Sequence, residues 1–209
     1  MAQKAIKGRF ITFEGSEGCG KSTQSKLLYE YLKRRGYNVV YLREPGGVKV
    51  SEKIRKILLD SRNNITSKCE TLLYMAARAQ VVSEIIKPAL SRGRIIICDR
   101  FMDSTIAYQG YGLGIDIKTI RLIGSFATSK ITPDLTIFLD LPVKKGLKHR
   151  YLEKDRIEKR PFVYHLRVRY GYLELARSEH KRIKIIKVAE DKSVTQDKIR
   201  RLVLCHLKI

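Results

Sequence analysis

An α/β protein, with a parallel β-sheet covered by helices on both faces, is what this sequence predicts. Three observations carry that expectation. Short β-branched runs alternate with longer amphipathic stretches along the chain. Several of the runs are apolar without interruption, such as Ile95-Ile96-Ile97-Cys98, the pattern of strands buried on both faces. A glycine-rich turn, Gly15 to Ser22, stands between the first run and the first amphipathic stretch.

Taken in order, the first strand is expected over residues 9–14 and the first helix over 22–35. A second strand follows over 38–43. The stretch 69–92 reads as one long helix in which Pro88, lacking an N–H, kinks the rod or ends its regular part. A third strand over 94–99, a helix over 118–129 and a fourth strand over 134–141 come next. Residues 144–160 are dense in charge and poor in apolar side chains, which reads as an exposed, mobile segment. A helix over 163–178 and a fifth strand over 183–188 complete the pattern. No repeat, low-complexity tract or linker interrupts it, so residues 1–209 read as one domain.

Composition narrows the class. A chain of 209 residues buries roughly 70% of its unfolded surface and needs no staples. With 44% hydrophobic and 31% charged residues it reads as soluble and globular rather than disordered. No apolar run approaches the ~20 residues needed to span a bilayer, so no membrane role is expected. The basic N-terminus leads into a strand, not the apolar core of a signal peptide. Cys19, Cys69, Cys98 and Cys205 lie far apart without zinc spacing, which makes a reducing cytoplasm the expected location. The formal charge of +22 implies an anionic partner: nucleic acid, an anionic membrane or phosphorylated small molecules. The alternative is a solvated basic surface, and no nucleic-acid-binding motif is recognisable.

The turn Gly15-Ser16-Glu17-Gly18-Cys19-Gly20-Lys21-Ser22 is a full match to the phosphate-loop pattern G-x-x-x-x-G-K-[ST]. Glycines let the backbone turn sharply and point successive N–H groups at a phosphate, while the following helix adds its positive dipole end. Lys21 is expected to reach the β- and γ-phosphates and the Ser22 hydroxyl to hold Mg²⁺. These loop residues and the adjoining Thr23 are the candidate ATP site. A carboxylate at the end of a second apolar strand completes such a metal site, and both Asp99 and Asp140 qualify. Spacing does not choose between them; Arg100, which follows Asp99 and suits a phosphate, favours Asp99. Motifs of guanine-specific GTPases and transporter ATPases are absent, which points to phosphoryl transfer between small molecules.

Four further segments join the loop: Arg43-Glu44-Pro45-Gly46-Gly47, Tyr74 to Gln80, Asp99-Arg100-Phe101-Met102-Asp103-Ser104-Thr105-Ile106-Ala107-Tyr108-Gln109-Gly110, and Asp155-Arg156-Ile157-Glu158. Together they resemble the thymidylate kinase family from about Gly8 to Lys198. The resemblance implies the P-loop nucleoside monophosphate kinase fold, with a five-stranded parallel sheet flanked by helices. It also implies transfer of the γ-phosphoryl of ATP to dTMP, Mg²⁺ as cofactor, and a homodimer.

The same resemblance assigns roles. Tyr74 stacks on thymine and Arg78, one helical turn on, donates to a thymine carbonyl. Tyr74 taken alone would read as a core aromatic. Arg100 grips the acceptor phosphate, where a planar guanidinium suits phosphate better than an ammonium. Thr105 and Gln109 line the base wall, Tyr108 crowds the sugar 2′ position, and Glu17 faces the 3′-hydroxyl. Arg43 either positions the acceptor phosphate or forms a structural ion pair near Glu44. Some family members carry an arginine inside the phosphate loop; this chain has none there. The resemblance therefore makes residues 144–160 a lid of the bacterial type and Arg156 its catalytic arginine, beside Lys21 and Arg100.

One further expectation concerns Cys19. A thiol among inward-pointing N–H groups at a helix start should have a lowered pKa; the alternative is an unreactive packed thiol. Val48, Ala77 and Val81 depart from the family pattern, standing where it usually has polar residues.

Overall fold

The computed structural model describes residues 8–148 and 155–208. Five strands form one wholly parallel sheet in the order β2-β3-β1-β4-β5: β1 Arg9–Glu14, β2 Val39–Arg43, β3 Ile95–Asp99, β4 Leu135–Asp140 and β5 Ile183–Lys187. Both neighbours of β1 are parallel to it, with Phe13 level with Asp99 on one side and Glu14 level with Phe138 on the other. The five expected strands are all present.

Burial on both faces explains why these strands are so apolar. Ile11, Phe13, Ile95, Ile97 and Leu139 pack with Leu28 and Leu32 of helix α1 (Lys21–Arg34) and with Ile199 and Val203 of α9 (Lys192–Leu207). Phe10, Ile96 and Cys98 pack on the opposite side with Val81 and Val82. Phe138 joins Tyr108, Tyr164 and Tyr172 in a further cluster there. Helices α2 (Lys49–Leu59), α3 (Ser67–Val81), α6 (Ile117–Ala127) and α8 (Phe162–Ser178) supply most of the remaining elements. The short helices are α4 (Lys87–Ser91), α5 (Met102–Thr105) and α7 (Val143–Lys148).

The expected rod over 69–92 is α3 followed by a π-helical turn, Val82–Ile86, and then α4 with Pro88 in its first turn. The Lys87 N–H reaches back five residues to the Val82 carbonyl. A wider turn just before a residue without an N–H lets the rod continue past the proline. A second π-helical turn, Ile106–Gly112, follows α5.

Residues 144–160 need correcting. Gly146 of α7 and, further on, Ile157 and Glu158 are buried, while Lys144, Lys145, Lys148 and Lys159 are exposed, so the described parts are docked on one side rather than exposed throughout. Gly146 explains part of this: its backbone lies so close to Gly18 that a Cβ on Gly18 would meet the Gly146 carbonyl oxygen at 1.9 Å. Charge density hid a segment docked on the phosphate loop. Arg150 and Lys154 lie outside the described residues.

Candidate active site

A cavity of about 450 Å³ opens at the carboxyl ends of β1, β2 and β3. That end of a parallel sheet is where loops diverge and backbone N–H groups point outward, so ligands collect there. Its floor is the turn between β1 and α1. Gly20 caps α1 with φ +87°, a left-handed conformation that glycine adopts without strain. Glu17, Gly18, Gly20, Lys21, Ser22 and Thr23 line the cavity; Gly15, Ser16 and Cys19 form the underside of the same loop.

Lys21 is buried and its Nζ donates to the Ser16 carbonyl at 2.8 Å, spanning the loop. Ser22 Oγ donates to a carboxylate oxygen of Asp99. Asp140 is instead held by Arg169, at 2.7 and 3.0 Å, which leaves Asp99 as the carboxylate at the loop.

Arg100 lies at the centre. Its Nη2 donates to Glu17 Oε1 at 2.6 Å and to the Tyr108 hydroxyl at 2.9 Å. Tyr108 donates in turn to Glu17 Oε1 at 2.6 Å. Burial opposes the charge on Arg100, but Glu17, Tyr108, Tyr172 and Asp99 outweigh it and hold the guanidinium cationic. The Tyr108 hydroxyl is pushed upward, chiefly by burial, so it stays a proton donor.

The far wall comes from α3. Tyr74 is half-buried and lines the cavity, as does Arg78 one turn later. Arg78 is 2% exposed, and every nitrogen of its guanidinium is engaged. Its Nε donates to Glu44 at 2.7 Å, Nη1 to Thr105 Oγ1 at 2.9 Å, and Nη2 to the Phe101 carbonyl at 3.0 Å. Gln109 lines the same wall and donates to Glu70 at 2.9 Å. Glu44 therefore pairs with Arg78 and not with Arg43, which is exposed at the cavity rim with no ion-pair partner among the described residues.

Arg156 does not line the cavity. Its Nε donates to the Leu58 carbonyl at 2.8 Å. Its Nη2 sits 2.5 Å from Glu70, an ion pair whose N–H is not aligned for a hydrogen bond. Arg160 shares that carboxylate oxygen at 2.6 Å.

The Cys19 expectation fails. The thiol is 1% exposed and packed into the core beneath the loop. Burial pushes its pKa up, and the opposing pull of Lys21 and Arg100 does not make up the difference. A helix start lowers a thiol pKa only where the thiolate stays solvated.

Val48, Ala77 and Val81 also find their places. Ala77 and Val81 are buried, Val48 packs on the same cluster as Val81, and the Ala77 carbonyl accepts from Ser51 of α2 at 2.7 Å. Apolar side chains here seal α2 against α3.

Four residues were not anticipated at the site. Glu44 orients Arg78, and Arg55 lines the cavity while donating to the Pro45 carbonyl at 2.8 Å. Glu70 anchors Gln109, and Glu14 lies beneath Arg100. Glu70 stands one turn before Tyr74 and two before Arg78, a helical spacing that places all three on one face. Nothing in the sequence marks Arg55.

A phosphate loop on a 2-3-1-4-5 parallel sheet, sharing one cavity with an arginine-lined acceptor wall, defines a P-loop kinase of nucleoside monophosphates. Comparison with known proteins narrows that class. The family model described as thymidylate kinase matches residues 13–199. A thymidylate kinase of Thermoanaerobacter sp. (strain X514) is 47% identical, the match covering 87% of this chain and 90% of that one. One of Geotalea uraniireducens (strain Rf4) is 46% identical over 96% and 98% of the two chains. The crystal structure of thymidylate kinase from Ehrlichia chaffeensis superposes with a TM-score of 0.79 at 34% identity, covering 94% of this chain and 98% of that one. The chain belongs to the thymidylate kinase family.

Proposed function

We propose that this protein transfers the γ-phosphoryl group of ATP to dTMP, giving dTDP and ADP. The observation that carries this is the joining of two unlike walls in one cavity. A phosphate loop faces an aromatic-and-arginine wall, with Arg100 between them. Phosphoryl transfer needs in-line positioning and positive charge rather than covalent chemistry from the protein.

In this reading the loop residues Gly15 to Ser22, with Thr23, hold the ATP phosphates, and Lys21 swings from the Ser16 carbonyl to the β- and γ-oxygens. Tyr74 stacks on thymine, Arg78 donates to a base carbonyl, and Thr105 and Gln109 complete the base wall. Glu17 and Tyr108 flank the sugar. Arg100, with the exposed Arg43 and the unanticipated Arg55, meets the acceptor phosphate.

The Ser22 hydroxyl and Asp99 carboxylate are adjacent hard oxygens that suit Mg²⁺, which binds few protein groups and takes its other ligands from phosphate and water. Bound there, Mg²⁺ would supply charge neutralisation on the phosphates. Arg156 contributes to catalysis after leaving Glu70, since its guanidinium rests outside the cavity in this structure.

The reading extends to assembly and location. Helices α3 and α6 pack together and expose Leu72, Leu122 and Phe126, the last with 87% of its surface in solvent. A homodimer would cover that apolar face. Four free cysteines fit a reducing cytoplasm. Among the described residues no helix is long and apolar enough to cross a membrane.

An ADP-release assay with ATP and dTMP, dUMP, dCMP, dGMP or UMP tests the reading. Fastest turnover with dTMP supports it. Preference for another base, or binding of both nucleotides without transfer, overturns it.

A further inference from the structure

β1 ends in a glutamate with no solvent exposure. Glu14 immediately precedes the phosphate loop, yet it does not line the cavity. A buried carboxylate is strongly unfavourable unless its oxygens are satisfied, and here both are. Oε1 accepts the Phe101 backbone N–H at 2.8 Å; Oε2 accepts Ser104 Oγ at 2.6 Å and the Tyr172 hydroxyl at 2.9 Å. Those two hydroxyls lie 2.8 Å apart. Both accept from Arg100 Nη1, at 3.1 and 3.3 Å.

Arg100 itself has φ +75°, a left-handed conformation that costs free energy for a residue with a Cβ. Strain of that kind persists only where the surroundings over-determine it. Glu14 touches both sides of the strained residue: the N–H that follows it in the chain, and the hydroxyls that receive its guanidinium.

We infer that Glu14 is a positioning residue, fixing the guanidinium of Arg100, through Ser104, Tyr172 and the Phe101 backbone, in the orientation that receives the acceptor phosphate. The inference rests on the function proposed above, which assigns that phosphate to Arg100. Proton counting shows why a carboxylate is needed. Ser104 and Tyr172 own one O–H proton each. A carboxylate takes those protons, directly or relayed between the two hydroxyls, and leaves lone pairs for Arg100. A side-chain amide at position 14 would donate to the same lone pairs and compete with Arg100.

The test is calorimetric titration at pH 8, where Glu14 carries its charge, of dTMP and of ATP into the full chain, comparing wild type, Glu14→Gln, Arg100→Ala and the double variant. Glu14→Gln is expected to weaken dTMP binding by roughly tenfold or more, with ATP affinity changed by less than about twofold. In the Arg100→Ala background the same substitution should add less than about twofold, because residues acting through one another are not additive. Equal losses in both backgrounds, or an equal loss of ATP affinity, would reduce Glu14 to a support of the fold and overturn the inference. Should Glu14→Gln not fold, Tyr172→Phe serves instead. Its ring keeps the stack on Phe138, with centroids 5.1 Å apart, and loses only the hydroxyl. A several-fold loss of dTMP affinity is expected there, and an unchanged affinity overturns the inference. Failure of wild type to bind dTMP would remove the proposed function itself; normal binding by wild type and by Glu14→Gln alike would remove this inference alone.

Discussion

Glu44 and Arg78 form an ion pair 2.7 Å long in which neither side chain keeps more than 3% of its surface in water. Burial pushes the Glu44 carboxyl upward, and Arg78 opposes that shift by charge and by hydrogen bond. Removing one partner strands the other. Arg78→Ala is expected to destabilise the fold by about 3–5 kcal/mol, the usual cost of an uncompensated buried charge. For a chain of this size that lowers the melting temperature by roughly 6–20 °C. Replacing both residues with Gln and Met should recover part of the loss. Melting curves of the two variants check this, and an unchanged midpoint for Arg78→Ala would show that Glu44 tolerates isolation.

Arg156 presents the reverse situation, a cation held in reserve. It shares Glu70 with Arg160, so two guanidiniums bear on one carboxylate oxygen. Arg156→Ala is expected to lower turnover by roughly a thousandfold, in the range of other catalytic arginines in phosphoryl transfer. KM for both nucleotides should change only a few-fold. Arg160→Ala is the control, with a much smaller loss. Near-normal turnover of the Arg156 variant would take that residue out of the mechanism.

Cysteine labelling follows burial. Cys69 and Cys205 are exposed, whereas Cys19 and Cys98 are buried and their thiols are pushed upward by burial. Iodoacetamide at neutral pH should modify Cys69 and Cys205 in the native chain and spare the other two, as read by mass spectrometry of tryptic peptides. Rapid labelling of Cys19 that ATP blocks would restore a reactive thiol in the loop.

The sheet was legible because strands buried on both faces leave uninterrupted apolar runs, and β3 is the plainest of them. Helix α9 was not anticipated: it buries Thr195 and Gln196 beside Ile199, so its inward face is half polar and its periodicity faint. Site residues on one element could be read together, as with Tyr74 and Arg78 one turn apart. Pairs joined only by the fold could not. Glu44 and Arg78 are 34 positions apart, and Glu14 and Tyr172 are 158 apart. A glutamate ending an apolar strand reads as the strand meeting solvent, whereas Glu14 is covered by Phe101, Ser104 and the distant Tyr172. The Cys19 expectation failed for the same reason, since spacing shows the N–H groups near a thiol but not the water kept away from it.

Base selectivity has a ceiling set by the chemistry of one methyl group. Thymine and uracil differ only there, and an apolar pocket extracts about 1–3 kcal/mol from such a difference, or 10–200-fold. The chain should phosphorylate dUMP measurably, with kcat/KM lower than for dTMP by a factor in that range. Replacing Tyr74 with Ala should lower kcat/KM on both acceptors and leave the gap largely unchanged, since in the proposed pose either base stacks on that ring. Equal kcat/KM on the two acceptors would remove the proposed base pocket.

Protonation of Glu14 links the site to stability. Burial raises its pKa from 4.5 to about 7, assisted by Asp103 and opposed by Ser104, Arg100 and the Phe101 N–H. The folded state then holds a proton that the unfolded chain has already released between those values. Stability from this group is complete below about pH 4.5 and is lost as pH rises through 7. At 1.36 kcal/mol per unit, the loss amounts to about 3 kcal/mol. Titrating groups remote from the site contribute alike to wild type and to Glu14→Gln, so the difference between the two reports Glu14 with its charged neighbours Asp103 and Arg100. Urea unfolding at pH 5, 6, 7 and 8 should show wild type holding its largest advantage at pH 5 and giving up most of the remaining part of that contribution by pH 8. Asp103, whose charge adds to that rise, is ion-paired with Arg182 at 2.7 and 2.8 Å. Two curves separated by a constant gap would mean that Glu14 is ionised throughout, and that Arg100 sits above a permanent negative charge.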